Sequence, residues 1–203
     1  AELDIRDQKV KLSMTRDNLT GSFHLSSTSS GKQNIHENTS KYPRHPECLA
    51  EVIEVDVENP VEFNLHIRIP WWVKGSAVIC VNDEEEIRVD EKTTFYKLNR
   101  TWRKGDSVRI LLPQGITTWP LPEDENMIAY LYGPILLVGL CDEERQLVLD
   151  GKKPEELLVH DNEREWGNWL NTFKTVGQER GIRFVPIMDV GYEAYTTYFP
   201  LKP

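Results

Sequence analysis

At 203 residues the chain is long enough to bury a substantial core, either as one large β domain or as two small ones. Hydrophobic residues at 39% and charged residues at 28% exclude general disorder and a membrane-embedded chain, and the longest apolar run, Ile135 to Leu140, is far too short to span a bilayer. A formal net charge of -9 repels phosphate backbones, and Lys9, Lys11, Arg103 and Lys104 are each diluted by carboxylates or hydroxyls, so no nucleic-acid or membrane partner is expected.

The chain opens on Ala1-Glu2-Leu3-Asp4, with no initiator methionine, basic start or apolar signal core. That is the look of a segment excised from a longer protein, and localisation is not readable from it. Ser26-Ser27-Thr28-Ser29-Ser30-Gly31 reads as a polar loop. Period-2 alternation then takes over. In Glu51 to Val57, Ile53, Val55 and Val57 face one way and Glu54 and Asp56 the other, which predicts a half-buried strand. After Glu58-Asn59-Pro60, Phe63, Leu65, Ile67 and Ile69 alternate with Asn64, His66 and Arg68, and the two strands are expected to pair as a β-hairpin. Pro70 ends the second strand, and Lys74-Gly75-Ser76 turns into Ala77 to Val81, a run apolar on both faces that belongs inside a sheet.

Asn82-Asp83 is a turn signal, followed by weaker strands near Ile87–Val89 and Thr93–Leu98. Lys104-Gly105-Asp106 turns into Ser107 to Leu112, with Val108, Ile110 and Leu112 inward. Two prolines and an acidic run across Trp119 to Asn126 mark the expected domain junction, giving units at residues 1–120 and 121–203 that could share one continuous core. Beyond it, Met127–Tyr132 and Ile135–Leu140 read as strands around Gly133-Pro134, and Ile182–Met188 and Ala194–Phe199 as the last strands. Between these, Pro154 to Leu158 suits one helical turn, and Asp161 to Gly181, polar and glycine-punctuated, reads as a long excursion. The fold class that follows is all-β: an antiparallel β-sandwich, as two packed sandwich units with little helix.

Cys48, Cys80 and Cys141 lack both zinc spacing and an even disulfide count, so buried free thiols are expected. Runs such as Glu84-Glu85-Glu86, Glu123-Asp124-Glu125 and Asp142-Glu143-Glu144 fall in turns and read as solvated loops. His36 and His45, around Glu37 and Cys48, match no zinc pattern, and His24, His66 and His160 find no triad. Asn18, Asn38 and Asn99 open glycosylation-like triplets, to which no role is assigned.

Phe63 to Trp72, Val81-Asn82, and Tyr96 to Trp102 followed by Arg103-Lys104-Gly105-Asp106 together resemble the C-terminal part of glycoside hydrolase family 127, the β-L-arabinofuranosidase-like proteins. Ala129 with Tyr132-Gly133-Pro134-Ile135, and Phe184-Val185-Pro186-Ile187 through Tyr195-Thr196-Thr197-Tyr198, extend the resemblance from about Tyr42 almost to the end. Asp83 stands where the family usually has glycine. The resemblance implies a parent enzyme with an (α/α)6-barrel catalytic domain carrying a catalytic glutamate and zinc-binding cysteines upstream. No residue of this chain matches those, since an adjacent cysteine pair and a Cys-x-Cys are both missing, so no catalytic, cofactor or metal residue is carried over. The resemblance places any zinc in that catalytic domain, outside this chain.

The expected role is therefore a non-catalytic accessory region whose partner is the parent's barrel, with a carbohydrate-binding module or a structural, oligomerising domain as alternatives. Tryptophan is the most suggestive residue type, because indole faces stack on sugars and also fill cores and interfaces. Trp71 and Trp72 directly follow a strand-ending proline, and with Trp166 they are the candidate sugar-binding or domain-interface residues.

Overall fold

The structure, a computed structural model, describes residues 2–5, 8–16, 48–82, 85–161, 164–165, 168–169 and 172–203. It is all-β, with helix limited among these residues to two short 3-10 turns, Pro154–Leu157 and Ile187–Asp189. Its contacts gather into two compact units, and the chain passes from one to the other between Gln114 and Gly115. The Trp119 to Asn126 segment, where the sequence suggested a junction, is instead a strand hairpin inside the second unit.

The first unit holds β1 (Glu2–Ile5), β2 (Gln8–Arg16), β3 (Cys48–Val57), β4 (Val61–Ile69), β5 (Ala77–Val81), β6 (Glu85–Val89), β7 (Thr94–Trp102) and β8 (Ser107–Pro113). Six of these form an antiparallel sheet in the order β1-β2-β3-β8-β5-β6, while β4 and β7 pair with each other as a second sheet. Val55 and Val57 from β3, Ile79 and Val81 from β5 and Val108 and Ile110 from β8 share one core with Ile67, Ile69, Leu98 and Trp102 from the β4–β7 pair. Alternation makes this possible, because each strand sends every second side chain inward.

The expected hairpin between β3 and β4 does not form. β3 pairs with β2 and β8, and β4 runs in full register with β7, from Val61 opposite Trp102 to Ile69 opposite Thr94. Glu58-Asn59-Pro60 is an exposed arch that carries the chain from one sheet to the other. Both arrangements bury the same alternate residues. A hairpin would set the two apolar faces side by side on one sheet and leave them uncovered, whereas the arch turns them toward each other.

The second unit contains β9 (Ile116–Leu121), β10 (Asp124–Tyr132), β11 (Ile135–Leu140), β12 (Leu147–Val148), β13 (Leu158–His160), β14 (Arg164–Glu165), β15 (Asn168–Trp169), β16 (Phe173–Thr175), β17 (Arg183–Pro186), β18 (Tyr195–Thr196) and β19 (Tyr198–Lys202). Nine of them join one sheet, ordered β12-β19-β10-β11-β17-β16-β13 with β9 on β10 and β18 on β11. Gly133, at φ 56°, opens the two-residue turn between β10 and β11, a position where side chains are strained. The expected excursion after Asp161 is broken by β16, which pairs with both β13 and β17. Ala194–Phe199 likewise splits, Thr196 pairing with Gly139 on β11 and Tyr198 with Ala129 on β10.

Candidate functional site

Three of the motifs that carry the sequence resemblance, Phe63 to Trp72, Val81-Asn82 and Tyr96 to Asp106, meet in the first unit, and their hydrogen bonds show what they do there. Trp102 is fully buried, stacks on Phe63 with ring centroids 5.4 Å apart, and donates its indole N–H to the Phe63 carbonyl at 3.1 Å. Asn82 sits in the left-handed region at φ 53°, which asparagine tolerates better than most residues. Its side-chain amide donates to Asp106 at 3.0 Å and its carbonyl accepts from the Ser107 N–H at 2.8 Å. Asp106 in turn accepts from the Arg103 N–H at 2.8 Å, across a turn made possible by Gly105 at φ 84°. The Val-Asn and Gly-Asp motifs, distant in sequence, thus form one clasp that fixes how β5 leaves the sheet and β8 enters it. This is scaffold chemistry.

The candidate tryptophans separate. Trp72 points into the core at 7% exposure, and Trp71, beside it after Pro70, is 40% exposed. β4 ends at Ile69, and the turn after Pro70 sends Trp72 and Val73 into the core while Trp71 stays at the surface. Trp166 lies outside the described residues, as do His24, His36, His45, Asn18, Asn38 and the Ser26 to Gly31 loop.

Sequence reasoning gave no weight to a second aromatic arrangement. Trp119 on β9 and Tyr198 on β19 lie in register on either side of Ala129 on β10, so all three project from the same sheet face. Trp119 is 53% and Tyr198 39% exposed. No local signal marks this row, because it exists only once β9, β10 and β19 are aligned.

The titratable groups are arranged for structure. Asp161, 4% exposed, is held by Lys174 at 3.4 Å and Arg183 at 3.6 Å, so its charge is matched by cations. Glu86 pairs with Arg88, and Glu143 with Arg145 and Arg180. Hydrogen bonds from its own peptide and from Gly191 lower the pKa of Glu193, the opposite of what a general acid needs. His160 packs edge-on to Tyr132 and against Phe173, and His66 is exposed opposite Lys97.

The described residues offer zinc no site. Among the described residues no group of three or more His, Cys, Asp or Glu is placed to hold a metal. Cys48, Cys80 and Cys141 are half-buried and form no disulfide, and burial pushes the Cys48 thiol up to about 11 and raises that of Cys141, which disfavours the thiolate a metal requires.

With this geometry in view, the relatives are informative. The sequence model of a family described as "Beta-L-arabinofuranosidase, GH127 middle domain" matches residues 21–114, a stretch that ends where the first unit ends. It begins earlier than the expected start near Tyr42 and describes a middle rather than a C-terminal domain. Among solved structures, a glycoside hydrolase matches all of this chain and 34% of its own length at 16% identity and TM-score 0.61. A GH127 beta-L-arabinofuranosidase from Geobacillus stearothermophilus T6 matches over 100% of this chain and 32% of its own at 17% identity and TM-score 0.61. A GH127 beta-arabinofuranosidase does so over 100% and 33%, at 16% identity and TM-score 0.63. No curated protein matches.

The class is therefore an all-β region resembling part of the glycoside hydrolase family 127 proteins in sequence and in fold. The chain spans about a third of the length of the solved structures it matches.

Proposed function

We propose that this chain is the non-catalytic C-terminal β accessory region of a glycoside hydrolase family 127-like enzyme, packing on a helical catalytic barrel that lies outside it. The observation that carries this reading is one of extent: the whole chain overlays on only a third of each enzyme, and the described residues contain no α-helix. We further read the chain as two folding domains with the boundary near Gln114, where both the contact division and the family match end. Trp71, outside the core yet anchored beside the buried Trp72, is the residue we assign to the barrel interface. The test is to assay the isolated chain and the full-length parent on aryl β-L-arabinofuranosides. Activity is expected only in the parent, and turnover by the isolated chain would sink the proposal.

A second reading, carbohydrate binding, is favoured by the Trp119–Ala129–Tyr198 row, whose exposed rings sit two strand spacings, about 10 Å, apart. Calorimetry with arabinose-containing oligosaccharides would then show saturable heat that Trp119→Ala abolishes. No heat across a broad glycan panel would count against it.

A further inference from the structure

β12, the terminal strand of the nine-stranded sheet in the order described, pairs on one side with β19 in parallel, Leu147 opposite Leu201 and Val148 opposite Lys202. Leu149 continues that ladder by donating to the Lys202 carbonyl at 2.8 Å. Strand geometry turns the N–H and C=O of the intervening Val148 the other way, out from the sheet. Both are taken by one side chain. The Gln178 carboxamide oxygen accepts the Val148 N–H at 2.9 Å, and its nitrogen donates to the Val148 carbonyl at 2.8 Å.

A primary carboxamide carries a donor and an acceptor side by side, as the edge of a neighbouring strand does. The local backbone is built to deliver it. Gly177 turns the chain at φ 71°, and the Gln178 nitrogen also reaches the Val176 carbonyl at 3.4 Å. Glu143 bridges Arg145 at 2.9 Å and Arg180 at 3.4 Å, tying the same two segments together a second time.

We propose that Gln178 is an edge seal: its carboxamide stands in for a further strand on β12 and stops the sheet from pairing with a second copy of the chain. A second copy is the occupant the geometry selects. One residue with both its N–H and C=O facing outward is self-complementary, so two copies related by a two-fold axis would exchange both bonds between their Val148 residues. Val148 is itself an exposed apolar residue, which suits such a contact.

The test uses the intact chain with Gln178→Ala, and with Gln178→Asn, which keeps the amide but shortens its reach. In dilute, monomeric solution both are expected to accelerate Val148 amide exchange about tenfold, the effect of one lost hydrogen bond, and as concentration rises both are expected to form dimers in sedimentation. Adding Val148→Lys, which places like charges across the new contact, is expected to restore the monomer while exchange stays fast. Unchanged Val148 exchange, or a variant that exchanges faster yet stays monomeric, would overturn the seal. So would association that Val148→Lys fails to reverse, since that marks unfolding rather than edge pairing.

Discussion

The two units solve the same problem with different materials. In the first, valine, isoleucine and leucine from strands of five to ten residues fill the core, with Trp72 and Trp102 as the large pieces. In the second, Tyr130, Tyr132, Phe173, Phe184 and Phe199 meet from strands as short as three or four residues, through ring contacts of 5.0 to 5.3 Å. A long strand repeats its alternation often enough to declare which face is buried, and it can use small side chains because it contributes many. A strand of three or four residues contributes one or two, so each must be large. The aromatic core also demands that something yield space, and Gly139 does so beneath the rings of Phe184 and Phe199.

The comparison can be broken most forcefully at Trp102. Its replacement by alanine is expected to cost about 3–5 kcal/mol, measured by denaturant unfolding. Amide exchange should rise in β4 and β7 while β16 and β17 stay protected, and an equal loss in both would reveal one cooperative core rather than two. Next is Gly139→Ala, where the added carbon would collide with Phe199 and sit 3.0 Å from Ile182 and 3.2 Å from Phe184. About 1–3 kcal/mol of overpacking is expected, and a neutral outcome would mean that the aromatic core can shift as the aliphatic one is not asked to.

Smaller again is the alkaline response of Cys48. Its thiol, raised by burial from 9.0 to about 11, keeps its proton in the folded state after the unfolded chain has lost it, so stability falls as pH rises between those values. The denaturation midpoint of Cys48→Ala should fall less steeply over that window than that of the unsubstituted chain. Tyr130, raised chiefly by burial and secondarily by Glu155, acts in the same direction in the second unit and is left in place by this comparison. The last test is at Trp71. Trp71→Ala should cost the chain less stability than Trp102→Ala, because Trp71 is 40% exposed and Trp102 fully buried, while weakening association with the rest of the parent enzyme. A large loss of stability would make it a core residue and remove it from the interface.

The sequence alone determined that the protein is β, where the strands from β3 to β8 run and which side of β3, β4 and β8 is buried, because alternation is a local record of solvent exposure. It also identified the run around Phe63, Asn82, Trp102 and Asp106 as distinctive. It did not tell what those residues do, since the clasp of Asn82, Asp106 and Ser107 joins residues some 25 positions apart. Tertiary structure alone decided that β3 and β4 face each other rather than pair, that Phe173–Thr175 is a strand, and that Trp71 and Trp72 part company. It alone set Trp119 beside Tyr198 and Gln178 against Val148. The reason is the same in each case: periodicity encodes which face of a strand is buried, whereas partner, register and edge are properties of two segments at once.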